Sequence, residues 1–302
     1  MTTSLVMLGD SLVDTGNLDE LARLVGQDPF EERIYDRGGN VKASDGPVFA
    51  EQIARRLGAR LNSIERVNLL DLPARLIFGS GGPAPQLLNY AYAGATSGLA
   101  GSRRAGLAPF PLGLLSQARL ASSTLPARDD LDALIIAGSN DLTDLAHRPR
   151  ALLKVLRSPG QRDNRRLRDR TARRIAANVR RSVDTITGQV DETLIVGLAP
   201  LSATPYLQRV ASRFSPSLEE AFLRFIDSTA RRVNRRLERR FNAPGRDDDV
   251  LVVDGFKAWQ SVAAPRFLDD VHPTSRTSGR LADFVVRGIA GSSDLSSYGF
   301  AT

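Results

Sequence analysis

The sequence predicts an α/β protein, built on a doubly wound parallel sheet with helices on both faces. Three observations predict it. Five short apolar runs, rich in β-branched residues, recur at residues 5–8, 88–93, 131–137, 193–198 and 250–253. Such runs suit strands buried on both faces, as in parallel sheets. Helical patterns fill the stretches between them, and strands alternating with helices build βαβ units. No internal repeat or linker divides the chain, so residues 1–290 read as one domain.

Each element has its own signal. Leu5-Val6-Met7-Leu8 is short and wholly apolar. The run at 88–93 is the weakest strand, and 131–137 is the strongest. A helix over 47–57 opens on Pro47 and stops at Gly58, the usual punctuation at helix ends. A helix over 165–190 aligns Leu167, Thr171, Ile175, Val179, Val183 and Ile186 on one face. A helix over 218–241 does the same with Leu218, Phe222, Phe225, Thr229, Val233, Leu237 and Phe241. Ser217 and Glu220 predict a capping box at its start. A last helix spans 275–289. The stretches 70–87 and 99–115 are long loops for a compact domain, and such loops often carry function. Residues 291–302 are small and polar and read as a flexible tail.

Composition narrows the function classes. The chain has 302 residues, 42% hydrophobic and 25% charged, which is enough apolar material for a large soluble core. It has no cysteine, which excludes disulfides, thiolate metal sites and a cysteine nucleophile. No secretory pattern opens the chain, and no apolar stretch approaches the roughly 18 residues of a membrane span. The expectation is a soluble protein, cytoplasmic by default, with export left open. The net charge of +7 is concentrated between Arg148 and Arg181, where 13 Lys+Arg face 2 Asp, leaving −4 for the rest. This segment reads first as a solvated helix face. The partner it would otherwise suit is an anionic membrane, because no aromatics interleave to stack bases and nucleic acid is not expected.

The chemistry-bearing residues cluster at strand ends. Gly9-Asp10-Ser11-Leu12 follows the first strand, where the crevice of an open parallel sheet lies. Gly9 permits a sharp turn, and the Ser11 amide can face a developing oxyanion. On those four residues alone, a plain helix N-cap explains the serine equally well. A serine nucleophile needs a base, and the chain has only two histidines. His272 follows Asp269 by three residues and Asp270 by two. A carboxylate three residues back can reach the imidazole in one turn and fix its tautomer. His147 sits beside Arg148, a setting that disfavours an imidazolium. Gly94 closes Asn89-Tyr90-Ala91-Tyr92-Ala93-Gly94, and Asn140 follows the strongest strand in Gly138-Ser139-Asn140-Asp141. The Gly94 amide and the Asn140 side chain are candidate oxyanion donors, although turn chemistry explains either one alone.

Taken together, Gly9-Asp10-Ser11-Leu12, Gly94, Gly138-Ser139-Asn140-Asp141 and Asp269-Asp270-Val271-His272 resemble the four blocks of the SGNH, or GDSL, hydrolase family, in the family's order. Asp14-Thr15-Gly16-Asn17, Ser44-Asp45-Gly46-Pro47, Asn89 to Thr96, and Asn234 with Leu237 extend the likeness. They resemble the branch of GDSL lipases, haemolysin-like phospholipases and glycerophospholipid–cholesterol acyltransferases. The resemblance covers residues 5 to 274. It departs at Leu8, where the branch often has Phe, and at Ala93, where Gly is usual. The Gly-x-Ser-x-Gly elbow of α/β-hydrolases is absent.

The resemblance implies a flavodoxin-like three-layer α/β/α sandwich with a five-stranded parallel sheet in the order 2-1-3-4-5. It implies Ser11 as nucleophile, His272 as base and Asp269 as its orienting carboxylate. It implies an oxyanion hole of the Ser11 amide, Gly94 and Asn140, with no metal and no cofactor. A small-molecule or lipid ester is the expected substrate. Three readings stay open: an esterase or lipase, an acyltransferase passing the acyl group to an alcohol or amine, and a non-catalytic binding module using the basic segment.

Overall fold

The computed structural model describes residues 4–24, 26–30, 34–36, 41–58, 64–67, 87–107, 109–125, 131–148, 152–153, 156–157, 162–242 and 249–290. The predicted tail at 291–302, and the predicted loop at 70–87 apart from Leu87, lie outside them. Among the described residues the sheet has six parallel strands where the sequence predicts five. They are β1 (Ser4–Gly9), β2 (Ile64–Arg66), β3 (Leu87–Asn89), β4 (Leu131–Ile136), β5 (Glu192–Val196) and β6 (Val250–Val253), in the order β2-β3-β1-β4-β5-β6. The five predicted strands keep their predicted order, and β2 is added at the edge. Its three residues, Ile-Glu-Arg, are half-buried and form no apolar run, so hydrophobic pattern cannot reveal it. Strand β3 is shorter than predicted, but its pairing continues as Tyr90 and Tyr92 donate to the Met7 and Gly9 carbonyls.

Among the described residues the α-helices of six residues or more are α1 (Asn17–Leu24), α2 (Phe49–Arg56), α3 (Leu114–Thr124), α4 (Ser139–Ala146), α5 (Arg162–Ile186), α6 (Pro205–Ala211), α7 (Pro216–Phe241), α8 (Gly255–Gln260) and α9 (Ser275–Ala290). Side chains alternate across a strand, so β1 feeds two cores. Val6 and Leu8 join Ile135, Ile195 and Val252 beneath α3, α5 and α7. Leu5 and Met7 join Leu134, Ile136 and Val253 beneath α2, α8 and α9. The result is the predicted three layers.

Helix α5 buries Thr171, Ile175, Val179, Val183 and Ile186 of the predicted stripe. Its arginines at 165, 166, 170, 173, 174, 180 and 181 face outward. Helix α7 starts earlier than predicted. Ser215 is its N-cap and Pro216 its first residue, so Ser217 lies inside the helix and the capping box does not form. A proline needs no amide partner in the first turn, and that preference overrides the Ser-x-x-Glu signal. Among the described residues, no helix is long and apolar enough to cross a membrane.

Candidate active site

The strands deliver their following loops to one end of the sheet. Ser11 lies two residues beyond β1, Gly94 five beyond β3 and Asn140 four beyond β4. His272 comes from the loop between α8 and α9. Ser11, Gly94, Asn140 and His272 line one cavity of about 460 Å³, a size that suits a small-molecule ligand.

The turn after β1 is built around Gly9. Its φ is +155°, and an added Cβ would lie 2.1 Å from the Ile136 carbonyl oxygen. Gln117, buried on α3, clamps both polar groups of Gly9. It accepts from the Gly9 amide at 2.8 Å and donates to the Gly9 carbonyl at 2.8 Å. Gly9→Ala is therefore expected to lower stability by about 2 kcal/mol or more, read from urea unfolding. A loss within about 0.5 kcal/mol, the range of ordinary surface changes, would contradict the packing described.

Asp10 and Asp14 hold the neighbouring loops. Asp10 accepts from the Leu12 amide at 3.2 Å and from the Ser139 hydroxyl at 2.5 Å, tying the serine turn to the first residue of α4. Burial pushes the Asp10 carboxyl above its ordinary value, against the Ser139 and Leu12 bonds and the charge of His272. Asp14 takes the amides of Gly16 at 2.7 Å, Asn17 at 2.6 Å, Leu18 at 3.2 Å and Ala93 at 2.7 Å. Burial raises it to about 6 against those four bonds. The Ala93 bond fixes the residue before Gly94. Asn17 and Asn89 complete the weave: Asn17 donates to the Asn89 and Ala91 carbonyls, and Asn89 to the Val13 carbonyl and Thr15 hydroxyl.

His272 stands between a hydroxyl and a carboxylate. Its Nε2 is 2.9 Å from Ser11 Oγ, and its Nδ1 is 2.5 Å from Asp269 Oδ2. One tautomer satisfies both contacts. It carries the proton on Nδ1 for Asp269 and leaves Nε2 to accept from the serine. Asp269 also accepts the Val271 and His272 amides at 2.7 and 2.6 Å, and the Tyr35 hydroxyl at 2.7 Å. Burial would raise the Asp269 carboxyl, but the His272 side chain and the two amides hold it well below the usual carboxylate range. Asp270 takes no part. It pairs with Arg209 on α6, and its carbonyl accepts the Tyr206 amide. His147 is exposed at the C-cap of α4, away from the cavity.

The loop of His272 is itself braced. Leu268 donates to the His272 carbonyl at 2.8 Å, and Thr274 to the Arg266 carbonyl at 3.0 Å. The Ser44-Asp45-Gly46-Pro47 block supports the next helix: Ser275 at the start of α9 donates its amide to Asp45 and its hydroxyl to the Pro47 carbonyl. Asn234, singled out in the sequence, is buried on α7 and clamps both backbone groups of Leu198 in the cavity wall.

Three donors face this region without being consumed. Among the described residues, neither the Ser11 amide nor the Gly94 amide donates to a protein acceptor. Gly94 has φ +79°, a left-handed backbone that favours glycine. The Asn140 side-chain amide gives one bond to the Ala95 carbonyl at 3.0 Å, leaving its second hydrogen available. Sequence reasoning missed Gln117 and Tyr35. No local signal marks either, since each acts through a contact more than 100 residues away.

The model of the GDSL-like lipase/acylhydrolase family matches residues 5–285. Among solved structures, the chain is similar to a lipolytic G-D-S-L family protein from Veillonella parvula. That match has 13% identity and a TM-score of 0.47, and covers 96% of this chain and 99% of the other. TesA matches at 14% identity and a TM-score of 0.35, over 95% and 98% of the two chains. Axe2, an acetylxylan esterase from Geobacillus stearothermophilus, matches at 15% identity and a TM-score of 0.36, over 97% and 96%. None of the curated proteins matches.

Proposed function

The chain belongs to the GDSL-like lipase/acylhydrolase family, and from that premise we propose that it is a serine esterase working through an acyl-Ser11 intermediate. The observation that carries the reading is the continuous relay Ser11 Oγ, His272 Nε2, His272 Nδ1, Asp269 Oδ2, at 2.9 and 2.5 Å. Ser11 Oγ attacks the ester carbonyl while His272 takes its proton. The tetrahedral oxygen is met by the Ser11 and Gly94 amides and the Asn140 side chain. His272 returns the proton to the departing alcohol, and water repeats the cycle on the acyl-enzyme. Asp269 stays ionised and steadies the imidazolium.

The cavity supports an ester with an apolar acyl chain. Phe30, Leu107, Leu198, Trp259 and Phe267 are among its walls. A fluorophosphonate probe tests the nucleophile: it should label wild type once and fail on Ser11→Ala. A p-nitrophenyl ester should then give a burst or steady turnover. If added alcohol accelerates release of p-nitrophenol and captures the acyl group, the chain is a transferase; if water alone resolves the intermediate, it is a hydrolase. Absence of labelling in wild type would leave a non-catalytic scaffold. Asn140→Ala should lower kcat by about 10²- to 10³-fold with little change in KM, the usual cost of one oxyanion donor. A change confined to KM would remove Asn140 from that role.

A further inference from the structure

Away from the relay the cavity walls are mostly apolar, with Asp10 at the serine turn and the neutral polar side chains Gln27, Thr143 and Thr204 among them. Arg104 is the single Arg or Lys among the described residues that line the cavity. Three backbone and side-chain bonds to Asp144 fix the segment that presents it: the Ser102 hydroxyl at 2.5 Å, the Arg103 amide at 2.9 Å and the Arg104 amide at 3.0 Å. Asp144 lies on α4, which also carries Asn140, so the arginine is set in a fixed relation to an oxyanion donor.

The guanidinium carbon of Arg104 lies 4.8 Å from the centre of the Tyr206 ring on α6. The Tyr206 amide is bonded in turn to the Asp270 carbonyl, beside the catalytic loop. Stacking orients a guanidinium while leaving its in-plane N–H groups free. Here they are free. Among the described residues the Arg104 head makes no ion pair or hydrogen bond, and its Nε is buried without an acceptor. The charges around it are already committed. Asp144 holds its three donors, Asp270 is paired with Arg209, and Arg213 adds a further positive charge near Tyr206. Asp270 feels the charge of Arg104 but spends its oxygens on Arg209, so among the described residues this half-buried cation has no bonded anion.

We infer that Arg104 selects esters bearing an anionic group, a phosphate or a carboxylate, on the part of the substrate remote from the scissile carbonyl. This rests on the esterase reading above and adds a substrate class to it. The planar fork of an arginine matches the paired oxygens of either anion. The neutral ester itself is served by the oxyanion donors and has no need of an arginine in the wall.

The test uses two matched pairs on the full chain. One pair is monooctanoylglycerol and octanoylglycerol phosphate. The other is p-nitrophenyl octanoate and its ω-carboxy analogue. Wild type should favour the anionic member of at least one pair by about tenfold or more in kcat/KM, carried mainly by KM, as expected for one charge-assisted bidentate contact. Preference within the first pair alone identifies phosphate, and within the second alone identifies carboxylate. Arg104→Gln should bring the ratio to near one, and Arg104→Lys should retain part of it. A wild type without preference, or a ratio unmoved in Arg104→Gln, overturns the inference. Should the variants fail to fold by circular dichroism, competition on wild type decides. Octyl phosphate or octanoate should inhibit neutral-ester hydrolysis about tenfold more tightly than octanamide, and equal inhibition by all three overturns the inference. Failure of the esterase reading looks different: Ser11→Ala would then match wild type on all four esters.

Discussion

Ser11→Ala is expected to lower kcat for any accepted ester by about 10³- to 10⁶-fold, and His272→Ala by nearly as much. In the proposed relay the two residues act through one proton. Without the hydroxyl there is no nucleophile, and without Nε2 the hydroxyl 2.9 Å away keeps its hydrogen. The double variant should therefore be scarcely worse than either single one. Residual turnover above water would come from the oxyanion donors and from binding. Initial rates with a p-nitrophenyl ester, normalised to folded protein, measure all three. A His272→Ala variant keeping more than about a tenth of wild-type kcat would break the relay, since that loss is under 1.4 kcal/mol of transition-state stabilisation.

Asp269→Asn should cost about 10³- to 10⁴-fold in kcat with KM little changed. An amide in that position can donate to Nδ1, which turns the ring toward the wrong tautomer and puts a hydrogen on Nε2. It also withdraws the negative charge that meets the imidazolium. The pH dependence follows from the depressed carboxyl. Its stabilising contribution is complete above the unfolded value of about 3.9 and is lost as pH falls through the lower folded value. Asp269 should thus contribute no titration step to rate or stability above about pH 4. A step between about pH 4 and 6 that vanishes in Asp269→Asn would show that the carboxyl is not held ionised as described. Tyr35 shares the same oxygen, so Tyr35→Phe on its own should be far milder.

The buried strands were legible because their chemistry is local. Leu5 to Leu8 and Leu131 to Ile136 announce themselves as apolar runs, and the stripe on α5 repeats at helical spacing. Strand β2 was not legible, because a half-buried edge of three residues has no pattern to read. The start of α7 misleads for a different reason: a capping-box pattern at Ser217 and Glu220 overlaps the first-turn proline at Pro216, and the proline sets the start. In the site, Ser11, Asp269 and His272 stand beside turn and carboxylate signals that short windows contain. Gln117, Tyr35 and Arg104 stand beside none. Their roles come from what the sheet brings near them, and a glutamine on a helix looks the same whether it faces solvent or grips Gly9.

The relay joins side chains 261 positions apart, one just past the opening strand and the other just before the closing helix. During synthesis the hydroxyl leaves the ribosome long before its imidazole has been made. On the proposed mechanism the nascent polypeptide would be chemically silent toward esters until almost the entire domain has emerged. On the same reading, a cut anywhere between Ser11 and His272 would part the relay unless the two pieces stayed packed together.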